Sequence, residues 1–102
     1  MAFCDVKPWL KNYAPGVRPH LDYPDIPLYN FLDDAAEYFP DVPATIFQDT
    51  PLTYGELGHL VDRMAGALTG LGVQKGDRVS IMLPNCPQLV IAYYGILKAG
   101  GI

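Results

Sequence analysis

The sequence predicts an α/β layered fold with an at least partly parallel sheet, and two stretches carry that prediction. The first runs from Gly76 to Ile102. Val79, Ile81 and Leu83 alternate with Ser80 and Met82 over the length of a strand, and Pro84 stops it. A helix over 87–99 follows, with Asn85 as its expected cap and Pro87 in the first turn, where a missing amide costs nothing. Lys98 is its only charge, so the helix is expected to be buried on all sides, and Gly100-Gly101 leads out of it. The second stretch starts at Thr53. Thr53-Tyr54-Gly55-Glu56 has the pattern of a capping box, and Leu57, Leu60, Val61, Met64, Ala65, Leu68 and Leu71 then recur at offsets of three and four. Such a stripe predicts a helix over 53–71 lying on a sheet. Strands alternating with covering helices imply layers and right-handed crossovers.

Taken in order, residues 1–27 carry Pro8, Pro15, Pro19, Pro24 and Pro27, which disfavour a long helix or a central strand. Trp9, Leu10, Tyr13, Val17, Leu21 and Tyr23 give this arm apolar anchors, so it is expected to pack along its own subunit or a partner. Leu28 to Phe39 predicts an amphipathic helix, with Leu28, Phe31, Leu32, Ala35 and Phe39 on one face and Asp33, Asp34 and Glu37 on the other. Residues 44–48 predict a strand, Asp49-Thr50-Pro51 a turn, and Leu52 a very short partner strand. The strands at 44–48 and 78–83 are expected in one sheet, flanked by the helices at 53–71 and 87–99. Gly66 and Gly70 are expected to mark close packing, Gly72 to end the helix, and Gly76-Asp77 to turn the chain into the next strand. A strand–helix unit that stops at Ile102 is half a crossover, so the chain is expected to be the start of a longer fold.

Composition excludes several classes. The formal charge is −4, no basic stripe marks a general nucleic-acid surface, and no uncharged apolar run reaches the ~18 residues of a membrane span. The start, Met1 to Tyr13, lacks the pattern of a signal peptide. Cys4 and Cys86 are too few for a disulfide framework or a zinc knuckle, and two reduced thiols are expected.

Residue patterns that could carry chemistry mostly read as structure. Gly70-Leu71-Gly72 follows a helix instead of joining a strand to one, and Lys75-Gly76-Asp77 has neither the glycine-rich loop nor the following Ser/Thr of a phosphate-binding loop. His20 and His59 have no ligand at metal spacing and are expected at the surface. Ser80 sits inside a strand and not at a nucleophile elbow. Asp33 and Asp34, adjacent on a helix, diverge by roughly 100° and make no clamp. Tyr54, Tyr93 and Tyr94 are expected in packing roles, with a pocket-lining role open for one of the pair Tyr93 and Tyr94. Lys98 is expected to sit at a helix C-terminus that favours a cation.

Leu52-Thr53-Tyr54-Gly55-Glu56-Leu57, Gly76-Asp77-Arg78-Val79, Met82-Leu83-Pro84-Asn85 and Leu97-Lys98-Ala99-Gly100-Gly101 occur in an order that resembles the start of adenylate-forming (AMP-binding) enzymes. Trp9-Leu10-Lys11-Asn12-Tyr13, shortly before Gly16-Val17, further resembles the leader of bacterial long-chain fatty-acid–CoA ligases. The resemblance implies an N-terminal arm at 1–27 and, at 28–102, the first part of a large AMP-binding domain of layered β-α-β units. It implies ATP-dependent conversion of a medium- or long-chain fatty acid to an acyl-adenylate, then transfer to coenzyme A, with Mg2+ screening the phosphates. Fatty acid and coenzyme A are the implied partners; separately, the uncovered apolar helix at 87–99 predicts homodimerisation or self-association of the fragment, and composition predicts a cytoplasmic protein that could approach a membrane surface through the rest of its chain. The family's catalytic groups lie downstream, so no catalytic, cofactor-binding or metal residue is assigned within 1–102, and the fragment alone is expected to bind no cofactor and to be inactive. Two other readings stay open: adenylation of a short-chain, aryl or amino acid, and a small non-catalytic α/β binding module.

Overall fold

Thr53 opens the helix on which the other elements pack. Its Oγ1 accepts from the Glu56 amide at 3.2 Å while Glu56 Oε2 accepts from the Thr53 amide at 3.0 Å, so both halves of the capping box form. The computed structural model describes residues 7–102; Cys4 and the rest of the first six residues of the arm lie outside them.

The helix, α2, spans Tyr54–Gly70. Before it come α1 (Tyr29–Tyr38) and a hairpin of β1 (Pro43–Phe47) and β2 (Thr50–Thr53); after it comes α3 (Pro87–Lys98). Leu57 and Val61 of α2, 2% and 1% exposed, meet Leu32 of α1 to form the core, and Ala44, Leu52, Tyr54, Val90, Ile91 and Tyr94 pack around them. Burying two such side chains contributes about 1.5–3 kcal/mol each. The stripe of α2 is spent chiefly on α3 and α1, where a sheet was expected; Leu71, just past the helix, is exposed.

Two glycines explain that outcome. A Cβ on Gly58 would stand 2.9 Å from the Ala36 Cβ of α1, and one on Gly95 of α3 would stand 2.5 Å from Met64 Cγ of α2. The missing side chains let the three helices close on one another. At Gly66 and Gly70, where close packing was expected, nothing lies within 4 Å of such a Cβ.

The hairpin turns at Gln48-Asp49, both at positive φ (48° and 61°), which leaves Thr50 and Pro51 inside β2 and not in the turn. Two left-handed residues between paired Phe47 and Thr50 are the geometry whose twist suits a two-residue hairpin. Pro51 is tolerated because β2 is an edge strand.

The stretch 78–83 departs from expectation. It forms no assigned strand, and β1 pairs only with β2, so 44–48 and 78–83 do not share a sheet. Its backbone partner is Ile102, whose amide donates to the Asp77 carbonyl at 2.7 Å and whose carbonyl accepts from the Val79 amide at 3.0 Å. That pair of bonds, flanking Arg78 and meeting on one residue, is a single rung of parallel pairing. The parallel component of the α/β fold is therefore present as one rung, and the antiparallel component as the hairpin.

Both α2 and α3 end in the same device. Gly72 and Gly100 take φ of +103° and +92°; the amides of Gly72 and Val73 return to the carbonyls of Thr69 and Leu68, and those of Gly100 and Gly101 to Leu97 and Ile96. These are Schellman caps, which need a residue at ease in the left-handed region. The start of α3 differs from expectation: Cys86 and not Asn85 is the N-cap, with no side-chain bond, and Pro87 supplies the first-turn conformation.

Beyond this assembly the chain is open. Accessible surface is 7938 Å² against about 5,700 Å² for a typical folded monomer of this mass. The radius of gyration is 17.8 Å against about 13 Å for a compact domain of this length. Residues 7–27 are irregular apart from a 3-10 turn at Pro8–Asn12, and Trp9, Tyr13, Val17, Leu21, Tyr23 and Ile26 are all at least 40% exposed, so close packing of this stretch along its own subunit is not what the structure shows. Helix α3 is half-buried instead of enclosed: Gly95 and Ile96 are buried, while Tyr93 is 46% exposed.

The glycine contrast is testable. Gly66→Ala, into open space, is expected to stabilise the chain by about 0.5–1 kcal/mol through helix propensity. Gly58→Ala gains the same propensity but pushes one methyl against another, and overpacking of about 1–3 kcal/mol makes it net destabilising. Urea unfolding midpoints that move in the same direction for both variants would contradict the close approach of α1 and α2.

Candidate functional site

Charge inside the helical assembly is concentrated at one place. Lys98, in the last turn of α3, sends its Nζ to Asp33 Oδ1 of α1 at 2.7 Å and to Asp62 Oδ1 of α2 at 2.5 Å. One ammonium thus ties three helices at their rim. Partial burial of Lys98 works to lower its pKa, but hydrogen bonds from both carboxylates, aided by their charge, outweigh that and raise it above its ordinary value. The helix C-terminus adds a favourable field. Asp33 is therefore a partner in an ion pair and not simply part of a solvated acidic face, whereas Asp34 and Glu37 are exposed as expected.

The remaining candidates do not converge. His20 and His59 are exposed and far apart in the chain, and no group of three metal-ligating side chains forms among the described residues. Ser80 is exposed on the extended stretch. Cys86 is a free thiol at the head of α3. Tyr54 packs against the core. Tyr93 and Tyr94 meet edge-on at 5.4 Å; Tyr94 also lines a cleft of about 400 Å³ with Phe31, Thr45, Leu57 and Val90. Thr45 Oγ1 is buried there without a hydrogen-bond partner.

A second cleft, of about 310 Å³, lies over Val79, Ile81, Tyr93, Leu97 and Ile102. Neither cleft is lined by a charged side chain. Phosphoryl and adenylyl chemistry depends on preorganised donors and positive charge where negative charge builds up. Lys98, the one lysine on α3, is held by two carboxylates. These two clefts offer no charged group to a nucleotide, its Mg2+ or coenzyme A. What they fit is packing against further apolar surface.

Sequence reasoning missed the Lys98 tie because its members are far apart in the chain. The available signal was that α3 carries a single charge, which must find a partner or reach the rim.

A capped helix packed between two others, a hairpin before it and a single parallel rung after it define the class: an α/β segment. The AMP-binding enzyme family matches residues 32–102, and the chain belongs to it. A long-chain-fatty-acid–CoA ligase of Bacillus subtilis is 46% identical over 94% of this chain, and triostin synthetase I of Streptomyces triostinicus is 36% identical over 93%. This chain spans 17% and 18% of their lengths. Among solved structures, an artificially fused adenylation–PCP di-domain from Klebsiella oxytoca superposes with a TM-score of 0.71 at 31% identity, over 74% of this chain and 14% of that one.

Removal of the tie should show in stability and its pH dependence. Lys98→Met is expected to lower stability by about 0.5–2 kcal/mol at neutral pH, the sum of two partly exposed pairs. Because the folded-state pKa of Lys98 is raised above 10.5, its contribution is fully present below pH 10.5 and fades as pH rises through the raised value. Chemical denaturation from neutral to strongly alkaline pH should show the gap to wild type closing there; a gap that persists once the ammonium is lost would mean that the stem's packing, not the charge, sustains it.

Proposed function

We propose that the chain is the opening scaffold of a longer enzyme that activates a medium- or long-chain fatty acid. In that enzyme the carboxylate attacks ATP to give the acyl-adenylate and pyrophosphate, and the thiol of coenzyme A then takes the acyl group and releases AMP. One observation carries the choice of acid. The similarity to the Bacillus fatty-acid ligase extends over 94% of the chain at 46% identity, reaching past the family's matched residues into the arm that holds Trp9-Leu10-Lys11-Asn12-Tyr13.

The division proposed is an arm at 1–27 and the first part of the AMP-binding domain at 28–102. Catalytic, nucleotide-binding and metal-binding groups are assigned to the longer protein, and the role of this stretch is to hold α2 and α3 where further strands and helices can pack. A second reading, adenylation of an amino acid by the same scaffold, is favoured by the match to triostin synthetase I, which also reaches into the arm, though at lower identity.

The test is formation of AMP and acyl-CoA from ATP and coenzyme A, measured on the longer protein with fatty, aryl and amino acids, and on residues 1–102 alone. Fatty-acid-dependent turnover by the longer protein and none by the 102-residue chain is expected. Turnover with aryl or amino acids only would reject the fatty-acid assignment. Activity in the short chain would reject the scaffold role.

A further inference from the structure

Between the end of α2 and the stretch at 78–83 the chain makes one tight reversal. The Asp77 amide donates to the Gln74 carbonyl at 3.0 Å, which closes a β-turn, and Gly76, third in that turn, takes φ of +89°. A type II turn asks for glycine at that position. The side chain of Asp77 reaches back as well: its Oδ2 accepts from the Gln74 amide at 2.8 Å. Both backbone polar groups of Gln74 are thus satisfied by one residue three places on.

The same turn receives the exit of α3. The Gly76 amide donates to the Gly100 carbonyl at 2.8 Å, and the Asp77 carbonyl accepts from the Ile102 amide at 2.7 Å. The two segments approach so closely that a Cβ on Gly100 would stand 3.1 Å from Lys75 Cα. Yet Gln74, Lys75, Gly76 and Asp77 are all exposed. Water competes for each of these bonds, and a turn built on a glycine has many other conformations open to it. Packing of α3 on α2 holds only one partner of each bond. The other partner must be held from within the turn. Many β-turns lack their closing backbone bond, so a second bond across the same four residues decides whether this one stays shut.

We propose that Asp77 is a positioning residue: its carboxylate latches the 74–77 turn, and the latched turn, together with α3, sets where the chain leaves at Gly100 to Ile102. A short carboxylate suits the task, since it only accepts and its bonds to amides are stronger than those of a neutral acceptor. Acting through the Gly76 amide and its own carbonyl, one side chain governs how Ile102 lines up beside Val79. The latch is independent of which acid a longer enzyme activates.

Nuclear magnetic resonance on the 102-residue chain reads the latch in the folded state. In Asp77→Ala, amide exchange at Gln74 and Gly76 is expected to accelerate on the order of ten- to a hundredfold, the span of one hydrogen bond to a charged group. Neither amide adjoins the substituted side chain closely enough to change its intrinsic rate. Nuclear Overhauser contacts between Lys75 and Gly100, and between residue 77 and Ile102, are expected to fall by half or more, while those between Leu32 and Val61 in the core persist. Asp77→Asn keeps an acceptor at the same reach and is expected to retain most of the contacts. Contacts to Gly100 and Ile102 that survive Asp77→Ala would mean that α3 alone places the exit, and would overturn the latch. Loss of the Leu32–Val61 contacts together with them would do the same, by making Asp77 a support of the whole fold. So would an Asn variant as open as the Ala variant, because the acceptor would then not be what matters.

Discussion

Everything in this structure depends on how closely α2 is approached from two sides. On one side Gly58 meets Ala36 of α1, and on the other Met64 meets Gly95 of α3. Helices separated by full-sized side chains at these points would leave Leu57 and Val61 half-wetted, and the small core would lose its largest contributions. The hairpin uses that core too, since Ala44 and Leu52 pack against it. A two-stranded hairpin is marginal in isolation, so β1 and β2 persist as a lid on α2 and not as an independent sheet.

The rim adds orientation to this packing. Apolar contact between helices is tolerant of sliding, whereas Lys98 must keep Asp33 of α1 and Asp62 of α2 both within reach of one ammonium, which narrows the positions open to α3. The energy of such partly exposed pairs is modest. Their value lies in selecting one arrangement among several of similar burial. With α3 fixed, its Schellman cap delivers Ile102 beside Asp77 and Val79.

Local features were legible in the sequence and long-range ones were not. The T-Y-G-E box, the glycine stops of α2 and α3, and the helix limits all follow from interactions within a few residues, and each forms at or within a residue or two of its expected place. The partners of the α2 stripe were misread because a periodic apolar face says that something covers it, not whether a sheet or a helix does. Gly58 and Gly95 proved to be the contact glycines while Gly66 and Gly70 did not, a distinction that depends on which helix lies opposite. The hairpin turn moved to Gln48-Asp49 because Pro51 suggests a turn as strongly as it permits an edge strand. The family was legible from short motifs whose roles in this structure are caps and turns; the chemistry was not, because the clefts present have no charged lining.

The rung between Arg78 and Ile102 has a consequence for order of assembly. Parallel strands are slow to pair because a long loop must close before any bond rewards it. Here the loop between the paired residues contains α3, which packs on α2 and so holds Ile102 beside Asp77 and Val79. Register in a sheet is all or nothing, since a slip of one residue turns every side chain to the opposite face. The first bond pair therefore acts as an alignment mark. Any strand that continued from Ile102 would begin with its register already set.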